Sequence, residues 1–245
     1  DENVELTGNV TEGIFYGNSV TGNPASGFYF APEIAPIGVD TIFYSYTTPQ
    51  GCSRITFDTA QIYEAPVITF IVDDVCVAVG TTDSTEFINN ATSSDSIISW
   101  LWNFGDPESL EKNESTLKNP KHLYTSAGSR QVYLTAETDN CEATGFEIIN
   151  FGDVPVADFI WESECYLSDI PVQFTNNSTS NYGNVTSNNW KFYRNGGFIT
   201  SSDENPEITY LNHGDYNVEL IVETEYQCID TAIKTLHLRR TIEVE

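Results

Sequence analysis

The chain has 245 residues, 40% of them hydrophobic and 13% aromatic, and ten Lys+Arg stand against 36 Asp+Glu for a formal net charge of −26. A surface that negative repels nucleic-acid phosphates and anionic lipid headgroups, so neither is expected as a partner. No apolar run approaches the roughly 20 residues of a membrane span, so no membrane insertion is expected, and the length asks for two or three sandwich-sized modules of roughly 100 residues.

In the first 65 residues, Ile42, Tyr44 and Tyr46 alternate with Phe43 and Ser45 before Gly51-Cys52-Ser53, which reads as a strand followed by a turn. From Pro66 onward the chain repeats itself. Pro66-Val67-Ile68-Thr69-Phe70-Ile71, leading to Cys76, returns as Pro155-Val156-Ala157-Asp158-Phe159-Ile160, leading to Cys165. Phe87-Ile88-Asn89-Asn90-Ala91-Thr92-Ser93 returns as Phe174 to Ser180, and Trp102 and Phe104 return as Trp190 and Phe192. The stretch Asn119 to Thr138 aligns without a gap onto Asn205 to Thr224, matching Tyr124 with Tyr210 and Gly128 with Gly214, and Cys141 then matches Cys228. Two tandem copies follow, with boundaries at 1–65, 66–154 and 155–245 and a further boundary near Ile242.

The run Ser99-Trp100-Leu101-Trp102-Asn103-Phe104 sets three aromatics on one side of a period-2 strand that Gly105-Asp106-Pro107 stops. That much aromatic area on one face needs a second sheet to cover it. Val218, Leu220 and Val222 alternate with polar neighbours in the same manner, and turns are marked by Asn195-Gly196-Gly197 and His213-Gly214-Asp215. Helix is expected only as a short turn in the polar loop from Asp106 to Leu117. The fold class read from these elements is all-β, a row of tandem two-sheet sandwiches in which Trp102, Phe104, Tyr124, Trp190, Phe192 and Tyr210 form the recurring core motif. Junctions at Ala65-Pro66 and Val154-Pro155 lack a Gly/Ser spacer, which predicts restricted angles between modules and an elongated rod.

Five cysteines are present and no Met, not even at position 1, so the chain is expected to be a piece of a longer one. Each copy holds one Cys after its first strand and one near its last turn. Repeat logic pairs Cys76 with Cys141 and Cys165 with Cys228, one bridge closing each module, which implies an oxidising compartment. Cys52 takes the second position of its module, so its partner is expected upstream of Asp1. Metal ligation would need a tight Cys-x-x-Cys or Cys/His cluster, which is absent.

The sequence is poor in catalytic patterns. None of the three His (His122, His213, His237) falls in a zinc-hydrolase spacing, and neither a Gly-x-Ser-x-Gly elbow nor a phosphate-cradling glycine loop occurs. No enzyme activity is expected. Tyr193 and Phe198 are the candidate glycan-contact pair, since a stacking platform needs two outward aromatics.

The tryptophan turn, Asn119-Pro120, Tyr124, Ala127-Gly128 and the alternating Gln131 to Glu137 resemble the PKD domain, an immunoglobulin-like sandwich. Some PKD domains bind calcium near the first strand and the Gly-Asp turn. The resemblance thus implies Ca2+ at Asp73, Asp74 and Asp106, whereas Tyr193-Arg194 replaces Gly105-Asp106 in the second copy; no other cofactor is expected. Residues Gly17 to Pro24 and Phe28 to Pro32 resemble other bacterial Ig-like surface repeats. The whole pattern is similar to the long, acidic, repeat-built surface proteins of gliding bacteria, the gliding-motility adhesins. What that implies is a non-catalytic segment of an exported cell-surface filament, whose partners are adjacent repeats of the same long chain and surface polysaccharide or other cell-surface proteins. The alternative is a spacer or substrate-docking part of a secreted polysaccharide- or protein-degrading enzyme.

Overall fold

The computed structural model describes residues 2–10, 12–78, 84–166, 170–194 and 196–240; Asn195 of the Asn195-Gly196-Gly197 turn and the boundary at Ile242 lie outside them. The described chain is almost entirely β, with two short 3-10 helices at Pro32–Ile34 and Pro107–Asn113. Strand pairing stays within three stretches of sequence. Between Val4 and Ile62 lie two three-stranded sheets; between Phe70 and Asp153, and again between Phe159 and Arg240, a five-stranded sheet accompanies a three-stranded one. Compactness divides the same chain into two units, residues 1–67 with 91–99 and 136–143, and residues 68–90, 100–135 and 144–245.

Alternation sets the two faces of the central strands. In Gly128–Thr138 the residues Val132, Leu134, Ala136 and Thr138 are buried, and in Gly214–Thr224 their counterparts Val218, Leu220, Val222 and Thr224 are buried. Period-2 geometry sends every second side chain inward, so a one-residue slip would turn the whole set to water. The indoles fill the space between the sheets. Trp102 and Trp190 have no exposed surface; Phe70 meets Trp102 edge-on at 5.1 Å, and Phe159 meets Trp190 at 5.1 Å. Each indole Nε1–H donates to a loop carbonyl, Leu117 at 3.0 Å and Asp203 at 2.9 Å, which meets the polar need of a buried Trp. Phe104, Phe192, Tyr124 and Tyr210 are buried beside them, whereas Trp100 is half-buried with the Lys118 ammonium over its ring.

The two copies diverge at the turn that follows the tryptophan strand. Gly105 has φ +65°, and a Cβ there would fall on the Gln131 carbonyl oxygen, so only glycine fits. This turn and Pro107 end the strand Ile97–Asn103, and the 3-10 helix takes over. The second copy carries Tyr193-Arg194 instead, and its strand Val185–Arg194 runs on into a hairpin with Gly197–Ser201.

The predicted disulfide pairs are not formed. Cys76 bonds to Cys228, while Cys141 and Cys165 are free thiols. The reason is strand length. Cys76 lies beside Gly152 in a parallel pairing, whereas the Cys141 turn opens the same strand, Glu142–Asp153, at its far end. Eleven residues of strand at about 3.3 Å each separate the two positions by about 36 Å, against the roughly 4.4–6.8 Å between Cα atoms that a disulfide requires. Cys165 lies beside Arg239 in the equivalent pairing and is separated from Cys228 by the equivalent strand, Ile229–Arg240.

Candidate functional site: a disulfide joint between repeats

The Cys76–Cys228 bond joins the base of one repeat to a turn of the next, with Cα atoms 5.5 Å apart. Its first half is a strand seat. The Cys76–Val77 strand pairs parallel with Gly152 and Asp153, and the Cys76 N–H is held by Asp74 Oδ1 at 2.8 Å. The second half is a hairpin turn, in which the Thr224 N–H donates to the Cys228 carbonyl at 2.9 Å and the Cys228 N–H donates to Thr224 Oγ1 at 3.3 Å. The turn places Gln227 at φ +65° just before the cysteine, and Cys228 is fully buried.

Packing around the bond makes it a joint rather than a tether. A Cβ on Gly152 would stand 2.6 Å from the Tyr226 Cβ and 2.9 Å from the Cys228 sulfur, so glycine is what lets the turn approach. Tyr226 stacks on Tyr182 with ring centroids 5.5 Å apart, and a side-chain hydrogen bond to Tyr182, with burial second, holds its phenol above the ordinary tyrosine value. The Asp153 N–H donates to the Tyr182 carbonyl, and Asp153 Oδ2 accepts from Asn181 Nδ2 at 2.9 Å. Sequence reasoning pointed to the cysteines but missed Gly152, Tyr182 and Tyr226. The signal was available only as a departure from the repeat, since Gly152 corresponds to Arg239 in the following copy.

The other candidate residues are placed elsewhere. Asp73 Oδ1 accepts the Glu86 N–H at 2.7 Å, Asp74 serves Cys76, and Asp106 is buried with its Oδ2 3.0 Å from His122 Nε2. His122 in turn stacks on Phe104, with centroids 4.4 Å apart, and meets Tyr124 edge-on at 4.5 Å. The Tyr124 hydroxyl donates to the Phe104 carbonyl, and burial first, then the Asp106 charge, raises its phenol far above the usual value. Asp106 therefore faces an imidazole inside the sandwich, and the three aspartates are not gathered into a calcium site. Among the described residues no group of three or more His, Cys, Asp or Glu side chains is arranged to hold a metal ion. In the second copy Arg194 takes the place of Asp106 and lies over the Tyr210 ring at 5.5 Å.

Tyr193 and Phe198 are neighbours across the 185–194/197–201 hairpin, with rings 5.9 Å apart and 37% and 56% exposed. The Tyr193 hydroxyl donates to Glu219 Oε2 at 2.8 Å, and Lys191 donates to Glu219 Oε1 at 2.7 Å. Those two hydrogen bonds, the lysine's first, hold the Glu219 carboxyl below its ordinary value.

The PKD domain family matches residues 63–148. Among solved structures, the PKD1 domain of Vibrio anguillarum Epp is 26% identical over 37% of this chain and 99% of that one, with a TM-score of 0.32. The PKD1 domain of the Vibrio cholerae metalloprotease PrtV is 29% identical over 35% of this chain and 96% of that one, with a TM-score of 0.30. The eight N-terminal Ig domains of Down Syndrome Cell Adhesion Molecule cover 94% of this chain at 10% identity and a TM-score of 0.53, with 33% of that chain matched, a likeness of fold alone. No curated protein matches the chain. The chain thus contains a stretch, residues 63–148, that matches the PKD domain family, within an all-β, Ig-like fold.

Proposed function

We propose that this chain is a non-catalytic, tension-carrying segment of an extracellular surface filament, of the kind gliding bacteria use to attach to surfaces or polysaccharide. The observation that carries the reading is the covalent joint itself. A disulfide spanning 152 residues routes force from Cys76 directly to Cys228, so the intervening chain lies in a loop that pulling on the ends cannot extend. A bond between repeats also implies an oxidising compartment, which fits an exported chain. The strong negative charge keeps neighbouring filaments apart.

Single-molecule pulling on the ends of the 245-residue chain tests this. With the bond intact, the loop contributes no extension when the chain unfolds fully. Reductant is expected to add about 500 Å of contour length, the extended reach of the loop. Equal contour lengths with and without reductant would overturn the tension-carrying reading.

A second reading, a substrate-docking part of a secreted polysaccharide-degrading enzyme, is favoured by the exposed Tyr193 and Phe198 pair. It predicts retention of the chain on insoluble polysaccharide and a several-fold loss on Phe198→Ala, since each aromatic contact with a planar or ring-shaped ligand is worth about 0.5–1.5 kcal/mol. Retention unchanged by that substitution removes this reading and leaves the first untouched.

A further inference from the structure

Ahead of the two repeats, three strands form one antiparallel sheet: Ile14–Tyr16 pairs with Gly38–Thr47, which pairs in turn with Ser53–Ile62. Alternation divides the side chains of these strands between two faces. One face turns inward, where Phe15 meets Tyr44 with ring centroids 4.6 Å apart and Phe28 of the neighbouring sheet at 5.9 Å. The charged side chains of the three strands, Asp40, Arg54 and Asp58, share the register of that inward face.

The opposite face carries no charge among the described residues of these strands. Its centre is a row of three rings, Tyr16, Phe43 and Phe57, directly paired from strand to strand. Tyr16 and Phe43 have centroids 5.3 Å apart, and Phe43 and Phe57 6.3 Å. Tyr16 is 42% and Phe57 67% exposed, and Ile14 and Ile55 beside them are exposed as well. Hydroxyls flank the row along the strands. Thr41 lies opposite Thr59 on one side; on the other is Ser45, then Thr47, whose Oγ1 is 2.8 Å from Ser53 Oγ.

Cross-strand aromatic pairs stabilise a sheet, which accounts for rings meeting across the ladder. It does not account for rings left in water on an outer face, where polar residues are the rule. Nor does it account for an uncharged face on a chain with 36 Asp+Glu. An anionic ligand finds no cation on this face and is repelled by a net charge of −26. A protein interface sets Arg among its aromatics and is poor in Ser, the reverse of this composition.

We infer that this face binds an uncharged, extended polysaccharide, which crosses the strands over Tyr16, Phe43 and Phe57. The apolar C–H face of a pyranose packs on an aromatic ring, while its hydroxyls reach sideways to the Thr and Ser hydroxyls. Neighbouring strands lie about 4.8 Å apart, so the row spans about 10 Å, the reach of two successive sugar rings in an extended chain. The face lies outside the PKD-matching residues 63–148. It also differs from the Tyr193 and Phe198 pair, where the phenol is tied to the Glu219 carboxylate. The inference deepens the attachment part of the first functional reading and rests on it for the role of the bound glycan.

The test is native-gel affinity electrophoresis of the whole 245-residue chain in gels containing glucomannan, xyloglucan or hydroxyethylcellulose, with polygalacturonate as the anionic control. Retardation by at least one of the three neutral polymers, and none by polygalacturonate, is expected. Phe57→Ala and Tyr16→Ala should each weaken it several-fold, and Phe57→Trp, which keeps a ring, should retain it. Thr59→Asp leaves every ring in place and should weaken it too. No retardation by any neutral polymer, retardation unchanged by all three weakening substitutions, or equal retardation by polygalacturonate overturns the inference. So does a Phe57-dependent dimer in sedimentation in place of glycan binding, which assigns the face to a second copy. Loss on Phe198→Ala alone keeps the substrate-docking reading and overturns this one. The contour-length measurement does not involve these rings, so the tension-carrying reading stands or falls separately.

Discussion

Single residues decide how each sandwich turns its corner. Gly105 is required by its positive φ and by the Gln131 carbonyl that fills the space beside it. Replacing it with Ala is expected to destabilise the chain by about 1–3 kcal/mol, the range for a non-glycine residue held in a sparsely populated backbone region. Urea denaturation of Gly105→Ala measures this, and an unchanged midpoint would show that the corner relaxes freely. The same corner turns inward the aspartate that looked like a cation ligand. Asp106 follows a glycine that bends the chain, and its carboxylate meets His122, which packs against Phe104 and Tyr124. Nothing in the local sequence distinguishes an inward from an outward Asp at that position, because the imidazole that receives it comes from 16 residues further along.

At the scale of elements, alternation in the central strands was readable because burial on one face leaves a period of two in the chemistry. Val132 and Leu134, like Val218 and Leu220, stand out against polar neighbours. Cross-strand chemistry was less readable. Lys191 and Tyr193 on strand Val185–Arg194 both donate to Glu219 on strand Gly214–Thr224, opposite Lys191 in the ladder. Those donors stabilise the ionised carboxylate and lower its pKa in the folded chain, so the folded state binds a proton less readily than the unfolded one. The contribution is complete above the ordinary glutamate value and is lost as the pH falls through the depressed folded value. Thermal melts from pH 6 down to pH 3 should fall less steeply for Glu219→Gln than for the parent chain. Identical acid limbs would mean that Glu219 is held no better folded than unfolded.

For the whole molecule, the consequence of the joint is a matter of which segments feel force. Residues 77–227 lie between the bonded cysteines, so they are bypassed when the chain is pulled, whereas the final strand Ile229–Arg240 lies outside the loop and stays in the force path. Closing so long a loop restricts the unfolded chain as well, an entropic effect of about 2–5 kcal/mol shared by two repeats instead of confined to one. A bridge within each repeat would have protected each separately. One between repeats makes their unfolding interdependent, and this is why the contour length gained on reduction is the sensitive measure of the proposed role.

The amino-acid sequence by itself determined the all-β class, the internal repeat, the aromatic positions at the sandwich centres and the equivalence of the cysteines, because each is a periodic or self-similar feature of the chain. Repeat logic paired the two cysteines within each copy, Cys76 with Cys141 and Cys165 with Cys228, and that pairing is not the one formed. Tertiary structure decided otherwise. A disulfide needs its Cα atoms within a few ångströms, and strand length puts the two cysteines of one repeat at opposite ends of the sandwich, while the close approach permitted by Gly152 brings the turn of the next repeat to Cys76.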